Sequence, residues 1–153
     1  MRSMSIRRDL PKMMAIEKTL PAKERWPEHA FLNRPGKPIV IACVLPSQDG
    51  QAILGYAVYQ MGVEAIELLR VVVAKEHRRQ GHGRQILEHF KKRLTANELC
   101  NLSIWVPETN LPAHLFLKAC GLRATSIAYR AGKTNQPDDY VFEYDLYSGM
   151  KAA

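Results

Sequence analysis

The 153-residue sequence lacks a long apolar run, a low-complexity stretch and a linker-like segment. No apolar run approaches the roughly 18 residues that a membrane-spanning helix needs, which excludes an integral membrane protein. The first residues also lack the continuous apolar region of a secretory signal. We therefore expect no membrane association and a cytoplasmic location.

Cysteine is scarce and has no pattern of chemical significance. The three cysteines, Cys43, Cys100 and Cys120, form neither a CxxC pair nor a Cys/His ligand spacing. An odd number without such spacing argues against a disulfide framework and against a zinc site. We expect free thiols and no metal.

Size and charge limit the classes of protein that the chain can belong to. A chain of 153 residues with 46% hydrophobic content can bury one ordinary core, so residues 1–153 are predicted to form a single domain. The formal net charge of +7 fits nucleic acid, an acidic partner or a phosphate-rich ligand. Because no stretch interleaves aromatic with basic residues, nucleic acid is not the expected partner.

Hydrophobic periodicity predicts an α/β order of β-α-α-β-β-β-α-β-α-β-β. The predicted early elements are a strand at residues 4–7, a helix capped by Asp9, and a short helix at residues 26–32. Three strand runs follow at residues 38–45, 52–61 and Ala65–Val73, and a helix begins at Gly83. The last elements are a strand at residues 102–106, a helix at Leu111–Ala119, and a hairpin of residues 123–130 with 140–147.

The turn between the third of these strands and the next helix reads VAKEHRRQGHGRQIL, residues 73–87. A glycine-rich turn at a helix start presents backbone N–H groups and the positive end of the helix dipole to an anion. Gly81 and Gly83 allow close approach, and Arg79 and Arg84 can add charged hydrogen bonds. A Rossmann fingerprint would need glycine where Ile86 stands. The combination favours an anion site over a plain turn.

Two motifs carry a resemblance to a known family. Arg78-x-x-Gly81-x-Gly83 resembles the acetyl-CoA signature of the GCN5-related N-acetyltransferases, the GNAT superfamily, and the segment NLPAHLFLKACGL from Asn110 is similar to that family's second motif. The resemblance implies a single-domain α/β fold. Its mixed, mostly antiparallel sheet would have six to seven strands, splayed between the fourth and fifth and flanked by about four helices. Trp26-Pro27 and a Leu-Glu-His helix most resemble the RimI-like N-terminal acetyltransferases.

The resemblance implies acetyl-CoA as cosubstrate and assigns residues to it. Val71, Val72 and Val73 would present backbone groups to the pantetheine arm, and the N–H of Val71 would stabilise the oxyanion. Arg78 and the following turn would hold the pyrophosphate, and Asn110 would meet the pantetheine. The predicted cofactor-binding residues are Val71, Val72, Val73, Arg78, Arg79, Gln80, Gly81, His82, Gly83, Arg84 and Asn110.

The chain departs from the RimI-like pattern at both proton-transfer positions. Trp105 stands where that pattern has a glutamate base, and Leu117 where it has a tyrosine acid. Glu67, eleven residues before Arg78, matches the base offset of the family's histone acetyltransferases and is the candidate general base; a water-facing strand end is the alternative. Glu64 is a second candidate. Strand alternation would place Glu67, Leu69, Val71 and Val73 on one face.

The acceptor is expected to be a primary amine, with a protein or peptide N-terminal α-amine ahead of a polyamine-like small amine. A CoA-binding module without turnover is the alternative outside the enzymes. Monomer and homodimer both stay open. The candidate acceptor-pocket residues are Trp105, Leu117, Tyr129 and Tyr140, and the candidate proton donors are Tyr129, Tyr140, Ser103, His82 and His114.

Overall fold

A computed structural model of the chain describes residues 1–129 and 137–148. Over these residues the chain forms seven strands and three α-helices joined by short 3-10 helices. The elements are β1 Arg2–Ser3, α1 Leu10–Lys18, β2 Ile41–Pro46, β3 Ile53–Met61, β4 Ala65–Val73, α2 His82–Ala96, β5 Asn101–Pro107, α3 Leu111–Ala119, β6 Arg123–Ala128 and β7 Asp139–Asp145. The 3-10 helices are Ala22–Glu24, Glu28–Phe31 and Lys75–His77.

The described strands form one sheet in the order β1-β2-β3-β4-β5-β7-β6. β1 with β2, β2 with β3, β5 with β7 and β6 with β7 are antiparallel. β4 and β5 are parallel, with pairs from Ala65↔Asn101 to Leu68↔Ile104. A mixed, mostly antiparallel sheet of seven strands with flanking helices confirms the predicted fold class.

The chain packs into two compact units. The first unit contains Met1–Gln60 and Leu69–His89, and the second contains Met61–Leu68 and the described residues from Phe90 onward. One domain over residues 1–153 stays a prediction. Within the described part of the chain, none of the helices is long and apolar enough to cross a membrane.

The core of the first unit forms between α1 and the strands β2 and β3. Leu10, Met13 and Ile16 lie at helical spacing, so α1 turns one apolar side inward. Met13 is fully buried, and burial of such a side chain stabilises the fold by about 1.5–3 kcal/mol. Phe31, from the 3-10 helix Glu28–Phe31, packs edge-on against the ring of buried Tyr56 on β3.

The core of the second unit contains alternate residues of β5 and β7 and the inner sides of two helices. Leu102 on β5 and Phe142 on β7 are buried, as are Phe90 on α2 and Leu117 on α3. The Lys91 ammonium donates to the carbonyl of Cys120 at the end of α3 and lies 4.7 Å from the centre of the Tyr144 ring. These contacts hold α2 and α3 on one side of β5 and β7.

Three predictions for the first part of the chain were wrong in position or type. The first strand is Arg2–Ser3 rather than residues 4–7, because the backbone bonds from Ser5 to Asp9 bend the chain into a turn there. Asp9 precedes α1, but its carboxylate accepts from Arg2, Arg8 and the N–H of Ser5 instead of capping the helix. The predicted helix at residues 26–32 is the 3-10 helix Glu28–Phe31.

The buried carboxylate of Asp9 makes the free energy of unfolding depend on pH. The hydrogen bond from Arg2 and those from Ser5 and Arg8 lower the pKa of Asp9 below its usual value. A carboxylate with a lowered folded-state pKa stabilises the fold above its unfolded pKa of about 3.9, and this stabilisation is lost as the pH falls below it.

We predict that Asp9→Asn lowers the free energy of unfolding at pH 7 by about 1–3 kcal/mol, because charged hydrogen bonds are lost. Below about pH 4 the difference from the wild type should shrink, because the carboxyl of the unfolded wild type is then protonated and must lose its proton to form these bonds on folding. Denaturant unfolding at a series of pH values measures both effects, with exposed Glu28→Gln as control. An equal loss at every pH would contradict the role of the Asp9 charge.

Candidate functional site

The turn between β4 and α2 has the backbone of an anion site. Arg79 and Gly81 both have left-handed backbones, with φ of 62° and 87°. The Gly81 carbonyl accepts the N–H of Gln85 at 3.0 Å, so α2 starts directly after Gly81. The first N–H groups of a helix have no acceptor inside it and face outward here. A Cβ added at Gly81 would meet nothing within 4 Å, so this backbone is open to a ligand.

Two side chains hold the turn in place. The Nε of Arg78 donates to the Val73 carbonyl at 3.0 Å, and the Nε2 of Gln80 donates to the Glu76 carbonyl at 3.3 Å. Both residues were predicted to bind the cofactor, and both shape the turn itself. Arg79 and Arg84 are exposed, and His82 opens α2 with its ring 6.3 Å from that of His77.

The end of β4 directs backbone groups away from β3. Ala74 donates its N–H to the Leu54 carbonyl of β3 at 2.9 Å. Because backbone groups of successive strand residues point in opposite directions, those of Val73 and Val71 point away from β3. The bond from Arg78 to the Val73 carbonyl lies on that far side. The N–H of Val71 therefore points away from β3, and its oxyanion role stays a prediction.

β4 does not alternate regularly along its length. Leu69 packs against the same apolar cluster as Val72 and Ala74, although regular alternation would place residues 69 and 72 on opposite faces of the strand. The side chain of Arg70 also reaches α1, where it binds Glu17. Leu69 and Arg70 thus turn to one side, as residues in a β-bulge do. The prediction that Leu69 and Val71 share a face was wrong for this reason.

A row of polar side chains crosses the sheet of the second unit. Glu67 on β4 pairs with Ser103 on β5, Ser103 with Glu143 on β7, and Glu143 with Arg123 on β6. Residues that lie directly opposite each other on neighbouring strands share one face of the sheet. The structure therefore places the candidate base Glu67 in one row with a second carboxylate, Glu143, with Ser103 between them, which the sequence did not suggest.

The predicted acceptor-pocket residues do not share one face. Trp105 lies two residues after Ser103 on β5, on the same face as Glu67, and 53% of its surface is exposed. Leu117 is 2% exposed and belongs to the core of the second unit. Tyr140 pairs with Val106 on the opposite face, with its ring 5.2 Å from that of His114. Tyr129 is exposed and precedes residues 130–136, which lie outside the described residues.

Asn110 begins α3. Its side-chain oxygen accepts the N–H of Ala113 at 3.3 Å, which is the bond of a helix N-cap. His114, one turn into α3, makes a 2.9 Å hydrogen bond with the Pro107 carbonyl and packs against Phe142. The cap uses the amide oxygen of Asn110, and its amide N–H groups are directed elsewhere.

A buried ion pair was missed by the sequence reasoning. Arg70 on β4 binds Glu17 on α1, and the two residues stand far apart in the chain. The sequence contained no signal for it, because neither residue belongs to a recognisable motif. Among the described residues, no cluster of three or more His, Cys, Asp or Glu side chains could hold a metal ion.

Comparison with solved structures shows the same fold. The ribosomal-protein-S18-alanine N-acetyltransferase from Escherichia coli is 22% identical, with a TM-score of 0.75 over 94% of this chain and 91% of that chain. Arabidopsis thaliana NAA60, solved with a bisubstrate analogue, is 15% identical, with a TM-score of 0.70 over 90% and 94%. A GNAT family acetyltransferase from Elizabethkingia anophelis with acetyl-CoA bound is 17% identical, with a TM-score of 0.63 over 74% and 95%.

No protein with a curated description matches the sequence. The family model for the acetyltransferase (GNAT) family matches residues 6–122, which cover most of the chain, including both motifs and the turn before α2. The chain belongs to the acetyltransferase (GNAT) family and is an N-acetyltransferase that uses acetyl-CoA.

Proposed function

We propose that this enzyme acetylates a protein or peptide N-terminal α-amine. The observation that carries the proposal is the end of β4, where the backbone of Val71 and Val73 points away from β3 directly before an anion-binding turn. The fold-level likeness to the ribosomal-protein-S18-alanine N-acetyltransferase and to NAA60 supports a protein N-terminus as acceptor and a RimI-like branch. A polyamine-like small amine is the alternative.

The cosubstrate would bind through the turn and the end of β4. The N–H groups that begin α2, at His82, Gly83 and Arg84, would hold the pyrophosphate, and Arg79 would add a charged hydrogen bond. The N–H of Val73 would bind the pantetheine arm as a neighbouring strand does. The role of Asn110, whose amide oxygen is occupied by the cap, stays a prediction from the resemblance.

Acetyl-CoA supplies an activated thioester, and the chain supplies orientation and charge stabilisation. The amine nitrogen attacks the carbonyl carbon while the carbonyl oxygen gains negative charge. The N–H of Val71 would donate to that oxygen, and one such donor typically contributes about a hundredfold or more to the rate. The C–S bond then breaks, the CoA thiolate leaves, and the amide product loses a proton.

Proton removal is the step for which the family's usual groups are missing. Trp105 and Leu117 occupy the positions of the glutamate and tyrosine of the RimI-like pattern. An α-amine has a reference pKa near 8, so roughly a tenth of it is neutral at pH 7 without help. Four residues of strand span about 13 Å from Glu67 to Val71, so Glu67 would accept the proton only with a bulge that re-aims the strand and a bridging water. Glu64 is a weaker alternative.

We predict that acetyl-CoA raises the melting temperature of the wild type, because a ligand that binds only the folded state stabilises it. Gly83→Val should abolish this rise, since a branched side chain would lie against the pyrophosphate. Lys92→Val places the same side chain on an exposed part of α2 and should keep the rise. A full rise in Gly83→Val would contradict the assignment of the turn.

Arg79→Gly separates fold stability from cosubstrate binding. Glycine suits the left-handed backbone at residue 79, so the free energy of unfolding should increase by about 1 kcal/mol. Affinity for acetyl-CoA should fall about tenfold or more, because a charged hydrogen bond is lost. Titration calorimetry and denaturant unfolding measure the two quantities.

The matched control for that change is Glu98→Gly. Glu98 has a φ of 56° and belongs to the second unit. It should show the same gain in stability with unchanged acetyl-CoA affinity. Unchanged affinity in Arg79→Gly would instead mean that Arg79 is a solvated surface residue.

Glu67→Gln keeps the shape of the side chain and removes its basicity. We predict that it lowers kcat by about a hundredfold without changing acetyl-CoA affinity, and that the pH-rate profile loses its acidic limb. Steady-state kinetics on the best substrate of an amine and peptide panel provide the measurement. Glu143→Gln, in the same polar row, should retain turnover. Loss of turnover in Glu143→Gln alone would transfer the role to Glu143.

A further inference from the structure

The carboxylate of Glu17 is almost completely buried and is bound by a fork of charged hydrogen bonds. Its side chain is 1% exposed. Arg70 donates from Nε to Oε1 and from Nη2 to Oε2, each at 2.8 Å. The N–H of Trp26 donates to Oε2 at 2.7 Å, and the hydroxyl of Tyr56 donates to Oε1. All these residues belong to the first unit.

Arg70 is the residue that joins this network to the segment after α1. Its Nη2 also donates to the Glu24 carbonyl at 2.9 Å. Its guanidinium carbon lies 5.0 Å from the centre of the Trp26 ring, within the range of a cation–π contact. One side chain on β4 is therefore held by α1, by the 3-10 helix Ala22–Glu24 and by Trp26.

Stability alone does not explain such an arrangement. A buried ion pair often contributes no more to stability than well-packed apolar residues of similar volume. What distinguishes Arg70 is its place in β4. It is one of the two consecutive residues that turn to the same side, and the next residue is Val71. A bulge re-aims the residue that follows it.

We propose that Arg70 is a positioning residue for the acetyl transfer: its contacts with Glu17, Glu24 and Trp26 hold the bulge that aims the N–H of Val71 at the thioester carbonyl. The proposal rests on the role of Val71 stated above. Without these contacts of Arg70, β4 can return to regular alternation, and the N–H of Val71 rotates away from the thioester carbonyl. Displacements of about 1 Å at such a donor can lower a rate by about a hundredfold.

Infrared difference spectroscopy tests the proposal. The acetyl-CoA carries carbon-13 at the acetyl carbonyl, and the measured quantity is the frequency of that carbonyl stretch in the bound state. A hydrogen bond from the N–H of Val71 to the thioester carbonyl moves this stretch to lower frequency in the wild type. The shift does not depend on which amine the enzyme acetylates. The test variant is Glu17→Gln/Arg70→Met, which removes both charges together, so no unpaired charge stays buried. Its frequency shift should be largely lost, while acetyl-CoA affinity stays within a factor of about three, because the turn is unchanged.

Arg2→Met/Asp9→Asn is the matched control. It also removes an ion pair of the first unit, whose hydrogen bonds join Asp9 to Arg2, Ser5 and Arg8 ahead of α1, and it should keep the full frequency shift. Arg70→Lys is a second test variant, which keeps the charge but cannot form the fork, and it should lose part of the shift. It serves as the test if the double variant does not fold.

The outcomes separate the two proposals. A full shift in folded Glu17→Gln/Arg70→Met protein overturns the positioning role and leaves Val71 as the donor. Absence of a shift in wild-type protein saturated with acetyl-CoA overturns the role of Val71 and the positioning role together. A double variant with wild-type stability but a lost shift and a kcat lower by about tenfold or more supports positioning over a purely structural role.

Discussion

A carboxylate inside an apolar core needs hydrogen-bond partners, and the partners of Glu17 organise the first compact unit. The carboxylate is reached from β4 by Arg70, from β3 by Tyr56 and from the chain after α1 by Trp26. Burial and the bond to Glu17 raise the pKa of Tyr56, so its hydroxyl stays protonated and remains a donor. Removal of any of these partners would leave the Glu17 carboxylate with an unsatisfied charge or hydrogen bond. The need for all of them fixes the geometry of β4 next to the proposed oxyanion donor.

Geometry and charge have separate sources at the proposed cosubstrate site. The glycines and the left-handed Arg79 shape the turn, and Arg78 fastens it to the carbonyl of Val73. Charge comes from residues that point outward, Arg79 and Arg84. An arginine in a left-handed backbone is unfavourable for the fold, so its presence favours a ligand role for the side chain. Arg78 illustrates the other case, a motif residue whose visible bond is structural.

The sequence predicted the elements well because their signals are local. The bounds of β3, β4, β5 and α3, and the start of α2, lie within one residue of those expected from periodicity and turn residues. Local signals failed where distant contacts decide. The first strand moved because Asp9 binds Arg2 and Ser5, and the alternation of β4 broke where Arg70 reaches α1.

The same distinction holds for the candidate site. The glycine-rich turn before α2 was predictable, since it is encoded in one short stretch of arginines and glycines, and its anion binding stays a prediction. The acceptor residues were not, because motif offsets from Asn110 give a position in the chain but not the face to which a side chain turns. Leu117 is therefore in the core and Trp105 is exposed, although both were chosen by the same kind of offset. The pairing of Ser103 with Glu143 required the β5–β7 register.

β6 is the last strand of the described sheet, and its residues from Arg123 to Ile127 are all exposed. A strand that buries so little is held mainly by its backbone ladder to β7. Such a strand opens at a free energy well below that of global unfolding, so its amide protons should exchange with solvent by local fraying. Because Arg123 ends the row that contains Glu67, fraying would change the electrostatics of that face while the enzyme stays folded.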